Sequence, residues 1–370
     1  MLTKGDEYPI HQTPEPIAFS GSDRNFYDRY FFCGAQADGG AYFAVAFGVY
    51  PHLNVMDAHF SLLGKDGVQR SIHASRVLDM ERMNLSVGPI SIEVIEPLQK
   101  LRIRLAPTEG MSADIECVGR AFPIQEPRFT RRIGPRMMMD LTRFTQNMRW
   151  SGWTEADGVR ETYDSATSWG TRDRSWGIRP IGAPDAQPTV PAMAPQFYWL
   201  WAPTNFPNLS LFFHVNEDER GQPWNTRAVL ASDGVGVDGF VHLEHPHMEV
   251  SWAKGRRHAA SARLDVADPA GRGHTVTWRP LAHFQMKGIG YGHADWGHGM
   301  WKGPLAVARE DFKPADLDPL VPQNLHIQAI SEVRHDGPDG LASTGMGILE
   351  QLVIGPHAPS GFKSIVDGAE

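Results

Sequence analysis

The residues most able to do chemistry in this chain lie in the stretch Ser165–Pro180, SATSWGTRDRSWGIRP. Two Trp-Gly pairs, Trp169-Gly170 and Trp176-Gly177, bracket Asp173, which sits between Arg172 and Arg174. A looser version follows at Gly290–Trp301, GYGHADWGHGMW, where Asp295 directly precedes Trp296-Gly297, with His293 and His298 on either side. Tryptophan offers a large apolar plane and one N–H donor, and glycine lets backbone pass close to that plane. A carboxyl group held there loses water. Its pKa then rises and it becomes a general acid, or an arginine such as Arg172, Arg174 or Arg179 keeps it ionised and it becomes a tie or a ligand anchor.

Further candidates are spread along the second half. In GILEQLVI, Glu350 and Gln351 interrupt an apolar strand, so one of the two points to the inner face; Glu350 there would be a second acid in a low-dielectric place, whereas Gln351 there is ordinary. Trp199 lies in the aromatic run QFYWLW at 196–201. His242, Glu244, His245 and His247 around Pro246, and His293 with Asp295 and His298, have ligand atoms suited to zinc or iron. Neither spacing matches a standard metal motif, and a His–Asp pair for proton transfer fits the later cluster equally well, so no metal and no other cofactor is expected. Cys33 and Cys117 sit in strand-like apolar surroundings and read as reduced core thiols.

The segment Thr171–Arg179 resembles the Asp-x-x-Trp-Gly signature of the lipocalin-like superfamily that includes carotenoid 1,2-hydratases and AttH-type proteins. GHADWGHGMWKG and the ending GILEQLVIGPHAPSGF look like uncharacterised bacterial members of that group. The resemblance implies two lipocalin-like β-domains in tandem and, by analogy with characterised relatives, hydration or cyclisation of lipophilic, often isoprenoid, molecules. Asp173 is the residue that the motif itself carries over.

The elements that must position these residues read as strands. The 370 residues include 37 Gly, 28 Pro and 11 Trp, a composition rich in turns. Aromatic and β-branched runs at 26–33, 41–50 and 56–63 have antiparallel spacing, with GKDG at 64–67 as a hairpin turn. Leu101, Ile103 and Leu105 alternate with Arg102 and Arg104, and Leu325, Ile327 and Ala329 alternate with His326 and Gln328. Met137–Met148 is the one stretch with a helical reading. The proline-rich IGAPDAQPTVPAMAP marks a boundary, dividing the chain into β-domains 1–190 and 191–370. The fold class expected is all-β, as two tandem lipocalin-like antiparallel barrels or sandwiches.

A net charge of −8 without long charge blocks speaks against a nucleic-acid partner. No apolar run is long enough for a membrane span and no signal-peptide core is evident, so a cytoplasmic location is expected; no feature assigns an oligomeric state. Nucleotide loops and the Gly-x-Ser-x-Gly elbow are missing. The expectation is therefore a cofactor-independent hydratase, lyase or isomerase acting on a C=C bond of a hydrophobic isoprenoid, steroid or aromatic molecule. Asp173 is the acid, Asp295 or His293 the base, and Trp169, Trp176, Arg172, Trp199, Trp296 and Glu350 are the ligand contacts. The alternative is a non-catalytic carrier of the same lipophilic molecules.

Overall fold

The computed structural model describes residues 7–8, 22–37, 40–184, 186–187, 190 and 195–370. Much of the expected lead-in and part of the proline-rich boundary lie outside the described residues. Thirteen strands come first: β1 (Phe26–Gln36), β2 (Tyr42–Tyr50), β3 (Val55–Leu63), β4 (Gln69–Val77), β5 (Ser86–Val87), β6 (Ile90–Glu96), β7 (Lys100–Thr108), β8 (Met111–Gly119), β9 (Ile124–Gln125), β10 (Phe129–Ile133), β11 (Arg136–Ala156), β12 (Val159–Tyr163) and β13 (Ser168–Ile178). Then come β14 (Phe197–Trp201), β15 (Thr204–Asn205), β16 (Leu209–Glu217), β17 (Pro223–Ser232), β18 (Val241–Trp252), β19 (Ala259–Ala267), β20 (Gly273–Gln285), β21 (Leu305–Phe312), β22 (Ile327–Asp336) and β23 (Ala342–Ile354). The protein is all-β with two β-domains, and the described residues hold only short 3-10 turns besides strands. No helix among them is long and apolar enough to cross a membrane.

The first sheet runs β21-β4-β3-β2-β1-β13-β11-β8-β7-β6-β5 and curls into a nearly closed barrel. At the seam, the Arg76 guanidinium on β4 donates to Ser86 O on β5 at 2.7 Å. In the second sheet β16 pairs with both β14 and β17, which closes an eight-stranded barrel. The β3–β4 hairpin turns on Gly67, at φ 74, with Gly67 N–H donating to Gly64 O. A left-handed backbone there suits glycine.

Alternation places the cores. In the first unit Tyr30 and Phe32, Phe43 and Val45, Met56 and Phe60, and Ile72 and Ala74 share one apolar face with Leu101, Ile103, Leu105 and Trp150. In the second unit Leu211, Phe213, Leu264, Trp278, Ile327 and Leu349 do the same. The helical reading of Met137–Met148 is corrected: these residues lie inside β11, a 21-residue strand paired with β8, β10, β12 and β13. Pairing along both edges outweighs the helix preference of methionine.

One compact unit comprises Met1–Gly119, Gln125–Met193 and Lys287–Lys313; the other comprises Arg120–Ile124, Ala194–Met286 and Pro314–Glu370. This differs from contiguous halves divided at 190 because Lys287–Lys313, which carries the second Asp-Trp-Gly cluster, belongs with the first barrel. Its strand β21 extends that barrel's sheet by pairing with β4 from Leu305↔Arg76 to Phe312↔Gln69.

Candidate functional site

Strands β1 to β4 bury both faces. Opposite the apolar core face they carry Arg29, Asp57, His59, Ser61, Gln69, Ser71, His73 and Ser75, all at most 3% exposed. Lys287–Lys313 covers this polar face: Ser75 Oγ donates to Met300 O, Gly299 N–H donates to Asp57 Oδ2 at 2.7 Å, and a Cβ at Gly290 would fall 2.8 Å from His59 Nε2. A buried polar layer without bulk water must satisfy its groups internally. Whether it does so decides what the layer is.

The contacts form a chain. Asp57 Oδ1 accepts from Tyr50 Oη at 3.2 Å and lies 4.0 Å from His59 Nε2. His59 Nδ1 meets His73 Nδ1 at 2.9 Å, and His73 Nε2 lies 3.7 Å from Glu310 Oε2 on β21. His293 Nε2 is 3.3 Å from the same oxygen, while its Nδ1 accepts from the backbone N–H of Asp295 and Trp296.

The hydrogen-bond pattern assigns the His293 tautomer. His293 carries its proton on Nε2 and donates to Glu310. His293 and His73 hold Glu310 well below the usual carboxylate range, so it is an acceptor. One proton bridges His59 Nδ1 and His73 Nδ1. The Nε2 atoms of both rings are fully buried without a hydrogen-bond partner, that of His59 beside Asp57 and that of His73 beside Glu310. Burial pushes both His59 and His73 below their ordinary value, so both are neutral. Burial pushes Asp57 up to about 6, against the hydrogen bonds from Gly299 and Tyr50 and the charges of Arg29 and Arg179. The layer thus sets a carboxyl group poised near neutrality beside an imidazole nitrogen that makes no hydrogen bond, a pairing suited to general acid–base work.

His73, His293 and Glu310 have the composition of a zinc ligand set, with donor atoms within 4.8 Å of one another. The His293 tautomer argues against that role. His293 presents N–H, not a lone pair, toward Glu310, and a ligating imidazole ordinarily donates from its other nitrogen, which here accepts twice. The trio fits proton transfer better than a cation.

A second group adjoins Asp57. Arg29 Nη1 and Nη2 contact His298 Nδ1 and Nε2 at 2.9 and 2.7 Å, and His298 Nε2 also meets Ile289 O at 2.9 Å. Tyr291 lies under the Arg29 guanidinium at 4.4 Å and under that of Arg179 at 5.6 Å. Burial and the two arginines push His298 well below its ordinary value.

The residues singled out in the sequence are distributed differently. Asp173 pairs in register with Phe31 and Thr145, half-buried on the face of β13 opposite Arg172 and Arg174. Those two arginines are fully buried on the core side. Arg172 bonds Glu7 at 2.6 Å, and Arg174 bonds Asp28 and lies over the Tyr30 ring. Trp176 shares their side, edge-on to Phe144, whereas Trp169 shares the side of Asp173. Residues three apart on a strand point to opposite faces, so Asp173 and Trp176 cannot line one pocket.

Asp295 is exposed and 3.6 Å from Lys302, which makes it a surface partner and not a buried base. Trp296 stacks on the His73 ring at 5.6 Å. His293 joins the chain described above, and His298 goes instead to Arg29. His242, Glu244, His245 and His247 are exposed on β18, where His245 at φ 53 sits in an irregular register, and they assemble no ligand set.

In the second unit Gln351 takes the core side and Glu350 the opposite one. Glu350 accepts from Trp199 Nε1 at 3.2 Å, His326 Nε2 at 2.8 Å and Gln328 Nε2 at 2.7 Å. Despite full burial these donors hold its pKa below the ordinary value. Trp199 is therefore a ligand of Glu350.

Arg29, Asp57, His59 and His73 escaped the sequence reading because alternating polar residues on a strand ordinarily face water. The signal lay in their type. VMDAHFSLL and QRSIHASRV place Asp, His, Ser and Gln on one face, with none of the Lys or Glu that a wet strand face favours.

No curated protein matches this sequence. Among solved structures, a candidate AttH of Nitrosomonas europaea superposes with a TM-score of 0.50 at 13% identity, covering 93% of this chain and 98% of that one. Kievitone hydratase of Nectria haematococca gives a TM-score of 0.45 at 12% identity over 88% of each chain. At such identities the likeness is one of fold, and the fold is the lipocalin-like AttH architecture. By its sequence, matched over residues 2–363, the chain belongs to a family of unknown function, DUF8625.

Proposed function

We propose that this protein is a cofactor-independent hydro-lyase or isomerase acting on a C=C bond, and that its proton-handling groups are Asp57 and His59 in place of Asp173. The observation that carries the reading is a buried His59 Nε2 without a hydrogen-bond partner, 4.0 Å from an Asp57 carboxyl whose pKa is about 6; in the tautomer that donates from Nδ1 to His73, that nitrogen is a free base. In the hydration direction His59 Nε2 takes a proton from water as its oxygen bonds one alkene carbon, and Asp57 gives its proton to the other. The proton then passes from His59 to Asp57, which restores both groups. In isomerisation the same pair removes a proton from one carbon and returns one at another.

The test is incubation of the protein with a panel of prenylated phenols and conjugated aryl enones in deuterated water, read by mass spectrometry. One alkene should gain one water or exchange deuterium, and Asp57→Asn should lower that rate by about a hundredfold or more, the usual contribution of a positioned acid. Turnover that survives Asp57→Asn but disappears in Asp173→Asn would return the acid role to Asp173. The carrier reading is favoured by the burial of Asp57, His59 and His73 beneath Lys287–Lys313; binding of a lipophilic molecule without turnover would select it.

A further inference from the structure

The arginines of the same layer lack a bonded carboxylate among the described residues. Elsewhere in the first unit, buried arginines hold dedicated carboxylates: Arg172 has Glu7, and Arg174 has Asp28. Arg29, 1% exposed, has none within bonding distance among the described residues. Both oxygens of nearby Asp57 are engaged by Tyr50 and Gly299. Arg179 is equally without one; it contacts His298 Nδ1 at 3.4 Å, the Tyr27 ring at 4.5 Å and Tyr291.

The partner that Arg29 does have cannot satisfy it. A neutral His298 offers one donor and one acceptor. If its Nε2–H donates to Ile289 O and its Nδ1 accepts from Arg29 Nη1, then Arg29 Nη2 faces an N–H at 2.7 Å. The opposite tautomer sets a lone pair against Ile289 O. Arg29 Nε is also buried without a partner. The Nε–Nη2 edge of this guanidinium therefore lacks an acceptor, and it is the edge by which arginines of this chain grip carboxylates. Arg128 holds Asp140 that way at 2.6 and 2.7 Å, and Arg263 holds Asp265 at 2.7 and 2.7 Å.

We infer that Arg29, with Arg179 beside it, is a buried subsite for an anionic oxygen, the carboxylate, phenolate or enolate oxygen of a planar conjugated substrate. The inference rests on the acid–base reading of this layer and names its substrate class. A guanidinium fork matches two lone pairs of such an oxygen group, and with Tyr291 over one guanidinium face and His298 against both Nη atoms, Nε is the donor left without a partner. The chemistry is consistent with the proton pair. Water adds to the alkene carbon remote from the conjugated carbonyl, losing its proton to His59, and the π electrons move onto the oxygen held by Arg29. When that enolate collapses, the carbon next to the carbonyl takes the proton of Asp57, and no other reactant is needed.

The test is titration calorimetry of the intact protein with three probes: cinnamate, 4-nitrophenolate and the neutral methyl cinnamate. At least one anion should bind stoichiometrically, with methyl cinnamate weaker by about tenfold or more, as loss of a charge-assisted hydrogen bond predicts. Arg29→Met and Arg29→Lys should each weaken the anion by a similar factor, because lysine keeps the charge but not the fork. Cinnamate alone would assign a carboxylate, 4-nitrophenolate alone a phenolate. Equal binding of ester and anion, anion binding unchanged in Arg29→Met, or no anion bound would overturn the inference.

Thermal melts keep the variants interpretable. Arg29→Met should melt at or above the parent temperature, because it removes an uncompensated buried charge. Arg174→Met should melt lower, because it strands Asp28. Arg29→Met melting as low as Arg174→Met would mark Arg29 as a structural tie. Asp57→Asn should keep the anion. If it also keeps turnover while Arg29 variants lose binding, the acid–base reading fails and the anion subsite stands.

Discussion

Two buried polar clusters, one in each unit, lie opposite an apolar core face, and they differ in how completely they are satisfied. Around Glu350 three side-chain donors converge on one carboxylate, which stays ionised despite burial. Around Asp57 the carboxyl group has two donors, burial dominates, and an imidazole nitrogen and a guanidinium edge next to it go unused. The same residue types thus yield a tie in one place and a reactive arrangement in the other. Saturation of hydrogen bonds, more than burial, separates a structural polar network from a candidate site.

Breaking the satisfied cluster should have the largest effect. Glu350→Leu strands the donors of Trp199, His326 and Gln328 and should cost about 3–5 kcal/mol in urea unfolding. The second effect is of opposite sign. Asp57 titrates at about 6 in the folded protein against 3.8 for the free group. A raised carboxyl pKa contributes stability that is fully present below about 4 and lost as pH rises through 6, amounting to about 3 kcal/mol at 1.36 kcal/mol per unit. Asp57→Asn should therefore match the parent near pH 4 and exceed it by about that amount above pH 7. Glu350, with its pKa lowered, gives the reverse slope: its contribution is present above the ordinary carboxylate value and lost on further acidification. The smallest effect belongs to the exposed Asp295, whose replacement by Asn should change stability by less than about 0.5 kcal/mol. A larger loss there would mean that the Asp295–Lys302 contact anchors the segment over the polar layer.

The barrels were legible because alternation along a strand survives in the sequence: Leu101, Ile103 and Leu105 face the core while Arg102 and Arg104 do not. Met137–Met148 misled because local preference carries no record of the strands that pair with it. The site was half legible. His293 was singled out, yet its partners His73 and Glu310 meet it only because Lys287–Lys313 joins the first sheet, a long-range pairing with no local signature. Asp173 drew attention through its neighbours in sequence, whereas strand geometry turns Arg172, Arg174 and Trp176 away from it. A polar strand face reads the same whether water or another segment covers it.

The most direct measurement is a carbon-13 NMR titration of aspartate carboxyl groups in the labelled protein, with Asp57→Asn to assign the signal. A midpoint near 6 is expected for Asp57. A midpoint at or below about 4, the value of an ordinary aspartate, would make the Asp57–His59 pair a static ion network and would contradict the proposed proton-transfer site.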